Sequence, residues 1–274
     1  MDKNIDKHVP PAIIHFPELD KIKENLEKLR TELSMLVLER DELIYVICKN
    51  LEMTYMLTFG GLEYKIYEME CALLRLKRKA ELIQAKISRQ EKVIETLIDE
   101  LLEREFAEYL RKLKEQMDKM NAALERSKKT FLSDEETREL KNLYRRIVKV
   151  LHPDLYPNLD ETISRLFQNA VIAYENGDLE GLRVISAMVN QSIVTEGEAS
   201  GLSQMNREQE RLTKMLQTIK EQIDEVKSEF PYSMKSLIQD PEKKRTKISE
   251  MKKYTEGLGL SIETYKEKIG ELLR

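Results

Sequence analysis

The sequence predicts an all-α protein: a long antiparallel coiled-coil hairpin, a smaller helix–loop–helix module, and a C-terminal helical hairpin. Three observations predict it. Apolar residues recur by threes and fours along most of the chain. Charged residues make up 35% and aromatics only 6%. The few strong turn signals fall between the periodic stretches. Glu, Lys, Leu, Ile and Met dominate, and the 274 residues include nine Gly, seven Pro and no Trp, a profile of long helices and not of sheets. A net charge of −4 leaves no bulk basic field for nucleic acid or an anionic membrane. No apolar run approaches the roughly 20 residues that a membrane span needs. The stretch Met1 to Pro17 has no charged-then-apolar signal layout, so a cytoplasmic protein is expected.

Residues 1–16, with Pro10-Pro11 followed by Pro17, read as an irregular lead. His8 and His15 lie there without further ligands at a defined spacing, so no metal site is expected. Residues 17–127 carry the coiled-coil pattern. Pro17 suits a first helical turn, and Leu19, Ile22, Leu26, Leu29, Leu33, Leu36, Leu43 and Ile47 follow in heptad spacing. Arg40 interrupts one expected core position. Gly60-Gly61 is the clearest turn signal in the chain. Beyond it Ile66, Met69, Leu73, Leu76, Ala80, Ile83, Ile87, Ile94, Leu97 and Leu101 resume the pattern, with Gln90 as a polar interruption. Heptads on both sides of a tight turn predict an antiparallel hairpin.

In that hairpin Cys48 and Cys71 fall near one level, where both are expected to be inert packing residues. Near residue 102 the apolar stripe changes face, to Leu102, Phe106, Leu110, Leu113, Met117, Met120 and Leu124. This last third of the second arm is expected to pack against the module that follows. Arg75, Lys77, Arg78 and Lys79 form the densest basic cluster and read as a solvated coiled-coil face.

Residues 128–192 form the module. Ser133 and Glu136 make a capping box behind Leu132, and Leu140, Leu143, Tyr144, Ile147 and Leu151 mark one buried face. Pro153 stops that helix after His152. Leu155 to Asn158 is turn chemistry, with Asn158 or Asp160 capping a second helix. Its apolar positions are Ile163, Leu166, Phe167, Ala170, Val171 and Tyr174, and it stops at Asn176-Gly177-Asp178. Leu179 to Asn190 reads as one more short helix. Residues 193–203 form a linker. Residues 204–274 predict a hairpin of shorter helices, with breaks at Pro231, Asp240-Pro241 and Gly257-Leu258-Gly259 and a last helix from Ser261.

The run Tyr144-Arg145-Arg146-Ile147-Val148-Lys149-Val150-Leu151-His152-Pro153-Asp154, followed by Phe167, Ala170, Ala173, Tyr174 and Asp178, resembles the second and third helices and the HPD loop of the J-domain in DnaJ-type cochaperones. The likeness covers roughly 45 residues. Two features depart from the family. Residues 106–132 lack its Y-x-x-L-G first-helix pattern, and Val150 stands where it usually has lysine. The last third of the hairpin's second arm is the expected substitute for that first helix.

The resemblance implies a cochaperone or adaptor that recruits and stimulates a DnaK-type ATPase. His152, Pro153 and Asp154 would make the trigger contacts, and Tyr144, Arg145, Arg146 and Lys149 would belong to the docking helix. The coiled-coil regions would bind a client or scaffold, with self-association as a further role. The alternative is a structural coiled-coil interaction protein in which the J-like helices survive only as a packing unit. Helix-dipole complementarity accounts for Arg145, Arg146 and Lys149 without any partner. The cochaperone reading needs an open loop, and burial of that loop against the long hairpin would remove it. Phosphate-binding glycine motifs, H-E-x-x-H and G-x-S-x-G are absent, so neither an enzyme nor a cofactor is expected.

Overall fold

The computed structural model describes residues 17–128, 132–157, 159–191 and 202–274. The expected irregular lead, the Asn158 cap and most of the 193–203 linker lie outside them. Among the described residues the chain is all-helical. In order come α1 (Pro17–Glu42), a π-helical stretch (Leu43–Cys48), α2 (Lys49–Tyr55), a second π stretch (Met56–Gly60) and α3 (Gly61–Ser88). Then follow α4 (Glu95–Glu105), α5 (Ala107–Ser127), α6 (Asp134–Leu151), α7 (Glu161–Asn176) and α8 (Leu179–Gln191). Helix α9 (Leu202–Ser228), a short 3₁₀ turn, α10 (Lys235–Gln239) and α11 (Pro241–Leu272) complete the chain. No described helix is long and apolar enough to cross a membrane.

Two compact units form, each from separated parts of the sequence. One holds α1 with residues 134–224. The other holds residues 43–133 with residues 225–274. The expected domain boundaries, each a single stretch of chain, differ from this. The J-like stretch shares its unit with α1 and most of α9, so residues 204–274 are not one packed hairpin.

In the second unit Gly60-Gly61 is not a turn. Both glycines are right-handed helical, with φ of −54° and −65°. The missing side chain serves close approach, because a Cβ on Gly60 would come within 3.2 Å of Met120 Cγ on α5. The chain reverses instead at residues 89–94, where Gln90 takes a φ of 57°. From there α4 and α5 return antiparallel to α3 and α2. Lys79 meets Asp99 at 3.0 Å, Tyr67 faces Tyr109, and Arg126 bonds Asn50.

Helix α11 runs beside α3 in the same direction, from the Tyr254–Glu70 hydrogen bond to Ile269 packed among Ala80, Ile83, Ile98 and Leu102. Asp240 caps α11 by accepting from the Glu242 and Lys243 amides, and Pro241 fits its first turn. Gly257 and Gly259 lie inside that helix, so no helix starts at Ser261. The basic cluster is largely engaged: Arg78 binds Glu105, Lys79 binds Asp99, and Lys77 sits over the Tyr265 ring. Cys48 and Cys71 are free and buried. They lie on one continuous helical run, about 35 Å apart by helical rise, and not at one level of a hairpin. Burial raises both thiols above the ordinary range.

In the first unit α6, α7 and α8 pack on one another. Leu140, Tyr144, Ile147 and Leu151 are buried as their spacing predicts, while Leu143 is half-buried. Asp160 caps α7 by accepting from the Ile163 amide at 2.9 Å. Gly177 ends α7 in the left-handed region at φ 68°. The amide of Asp178 then reaches back to Ala173 O at 2.8 Å, the glycine stop read from the sequence. The partner expected for the HPD-flanking helices was the 102–124 stripe. That stripe belongs to the second unit, and besides α7 and α8 it is the end of α1 that meets α6.

Candidate functional site

The loop after α6 is built by two opposing demands. Pro153 forbids further helix, yet His152 still closes the last turn through its amide to Val148 O at 3.1 Å. A tight turn follows, with the amides of Leu155 and Tyr156 both donating to His152 O at 3.0 and 2.9 Å. These bonds point the imidazole inward. His152 is 3% exposed, and its ring meets Phe167 of α7 edge-on at 4.8 Å.

What it meets there is α1. Arg40, which breaks the heptad, reaches the loop with its full fork. Its Nη1 donates to Asp154 Oδ2 at 2.7 Å and to Gln222 Oε1 of α9 at 3.0 Å. Its Nη2 lies 3.1 Å from His152 Nε2 and 3.0 Å from Asp41 Oδ1, and its Nε also donates to Asp41. Asp41 is 1% exposed. Its other oxygen accepts from Tyr144 Oη at 2.7 Å, so the buried carboxylate is bonded on both sides, as a buried charge requires. Tyr144 in turn stacks on Tyr174 at 4.0 Å between centroids. On the outer side Arg211 of α9 reaches the main-chain oxygens of Asp154 and Leu155 at 3.5 and 3.4 Å.

The electrostatics favour a neutral ring. Burial lowers the proton affinity of His152, Asp41 and Asp154 work against that, and Arg40 adds to it. The Asp154 amide donates to Nδ1 at 3.0 Å while Arg40 faces Nε2. Accepting from that amide at Nδ1 leaves the ring proton of a neutral imidazole on Nε2, beside the Arg40 guanidinium, and the nearest carboxylate oxygens stand 3.7 Å away. A histidine activated as a base has the opposite wiring, with one N–H on a carboxylate and a free lone pair toward the substrate. This one is wired as a joint.

The residues expected to dock a partner therefore divide. His152, Asp154 and Tyr144 converge on Arg40 and Asp41. Pro153, Arg145, Arg146 and Lys149 are exposed and take no part in the joint. Sequence reasoning missed Arg40, Asp41, Gln222 and Arg211. Only Arg40 gave a signal, as the charge in a heptad core position. Of the loop expected to be open, α1 covers the histidine, while the Asp154 side chain is 29% exposed and Pro153 is exposed. No group of three or more His, Cys, Asp or Glu among the described residues is arranged to hold a metal.

Compared with known protein families, with curated proteins and with solved structures, the chain matches none.

Proposed function

We propose that the protein is a helical interaction protein in which the J-like helix pair is a packing unit and the HPD loop is an internal polar joint. One observation carries this reading: Arg40 donates to Asp154 and lies against the buried His152 ring. A trigger loop must offer its groups to a partner, whereas these groups are already spent on the chain's own first helix. Coupling of ATP hydrolysis by a DnaK-type chaperone to this chain is the test. The reading expects no stimulation by the intact chain, and it expects His152→Gln to destabilise the chain without any change in turnover. Stimulation that vanishes in His152→Gln would contradict it.

The cochaperone reading stays as the second, favoured by the exposed Pro153 and by the outward Arg145, Arg146 and Lys149 on α6. Under that reading Arg40 masks the loop and a partner must displace it. Arg40→Ala separates the two. Turnover rises if the arginine is a mask and stays at the unstimulated level if the loop is only a joint.

A further inference from the structure

Beside the joint, within the same unit, α1, α6, the loop after Pro153 and α9 leave a recess of 1430 Å³. Its floor is apolar: Leu38, Leu155 and Leu212 line it with Met35, and Met35 is 67% exposed, high for a methionine on a helix that otherwise buries its apolar face. Ser34 lines the same recess and is 8% exposed, yet its hydroxyl has no hydrogen-bond partner. A buried, unanswered hydroxyl is costly, and it is answered when a ligand brings an acceptor.

The rim says which ligand. Three of its carboxylates are committed within the unit, Glu32 to Lys220, Glu42 to Lys141 and Glu208 to Arg211. Arg145, Lys149 and Arg207 also line the recess, and among the described residues no carboxylate pairs with them. Glu27 and Glu39 are the remaining rim carboxylates, two against these three cations. An apolar floor between cations of α6 and α9 that outnumber the remaining carboxylates fits an amphipathic helix whose flank is acidic.

We propose that this recess binds an acidic amphipathic helix of a partner protein, with its apolar stripe on Met35 and Leu38 and its carboxylates on Ser34, Lys149 and Arg207. The proposal deepens the interaction-protein reading and rests on it for the closed arrangement of α1 and the loop.

The test is fluorescence anisotropy with the full chain and a labelled peptide of roughly 15 residues, about four helical turns, carrying leucines at helical spacing and glutamates elsewhere. Two controls replace every glutamate by lysine or scramble the leucine stripe. Binding of the glutamate peptide near the micromolar range is expected, with both controls at least about tenfold weaker. Met35→Glu, at an exposed position, and Arg207→Glu should each weaken it by about tenfold.

Ser34→Ala gives the discriminating readout. It should raise the melting temperature of the free chain by a few degrees, because an unanswered hydroxyl is removed. The same change should weaken the peptide about threefold or more. Equal binding of the lysine peptide, absence of binding, or a Ser34→Ala chain with unchanged affinity would overturn the proposal. Concentration-dependent dimerisation lost in Met35→Glu would also overturn it, and would assign the recess to a second copy of the chain. A failed peptide arm beside an intact His152-dependent pH melt rejects the recess and leaves the joint standing. The reverse outcome rejects the joint.

Discussion

The two units fasten their helices by opposite means. The second closes α3, α4 and α11 around Ala80, Ile83, Ile98, Leu102 and Ile269, an apolar seam of non-directional contacts with pairs such as Lys79–Asp99 on its flank. The first fastens the end of α1 to the HPD loop through Arg40, Asp41, Tyr144, His152 and Asp154, where each contact has a direction, a charge and a required partner. A seam tolerates substitutions of similar volume, since area and volume are what count. A polar joint fails when one atom is removed, because the groups left behind are buried and unanswered. The helix pair that resembles a docking module is thus held by the more fragile and more specific of the two devices.

Conservative substitution sharpens that contrast most. Arg40→Ala should cost about 3 kcal/mol, because Asp41 is left buried without its cation. Arg40→Lys should recover little of it, since an ammonium cannot span Asp41, His152 and Asp154 as the guanidinium does. In the seam Leu102→Ala should also cost about 3 kcal/mol, while Leu102→Met costs less than about 1.5. Urea unfolding of the four variants, followed by tyrosine fluorescence, checks the pattern. A lysine at position 40 that restores full stability would erase the distinction between the units.

Smaller effects follow from single atoms. Tyr144→Phe keeps the stack on Tyr174 but removes one of the bonds to Asp41, and should cost about 1–2 kcal/mol by the same measurement. Acid should act on the joint and spare the seam. His152 is held below the ordinary histidine value of 6.5 by burial, so as pH falls the unfolded chain takes up this proton before the folded one does. Its contribution is intact above about pH 6.5 and is lost below it. Thermal melts between pH 7.5 and 5.5 should show that loss in the wild-type chain, and His152→Gln should flatten it. An unchanged slope in the variant would place the titration elsewhere.

Where local chemistry decides, the sequence was readable. The helix ends at Pro153 and Gly177, the Asp160 cap and the buried face of α6 follow from residues a few positions apart, and the structure has all of them. Where tertiary context decides, it was not. Gly60-Gly61 carries the strongest turn composition in the chain, yet glycine also allows close packing, and Met120 lies against Gly60 inside an unbroken helix. Gly257 and Gly259 also lie inside a helix, although no close neighbour calls for a glycine at either place.

The two polar interruptions in the heptads were the better guides. Gln90 marks the reversal and Arg40 marks the joint. Both are places where the repeat lapses because the helix has no apolar neighbour to face. Nothing in the local pattern could reveal that Asp41, Gln222 and Arg211 reach the joint from elements far away in sequence. The HPD triplet itself was plain to see. That its histidine and aspartate face the chain's own first helix was not.

The central claim, that Arg40 holds the loop from within, is tested most directly by a double-mutant cycle of Arg40→Ala and Asp154→Asn in urea unfolding. The joint predicts a coupling of about 1–2 kcal/mol, the double variant being less destabilised than the two singles together. Additivity within about 0.3 kcal/mol would contradict it, and would mean that the arginine and the loop do not depend on each other in the folded chain.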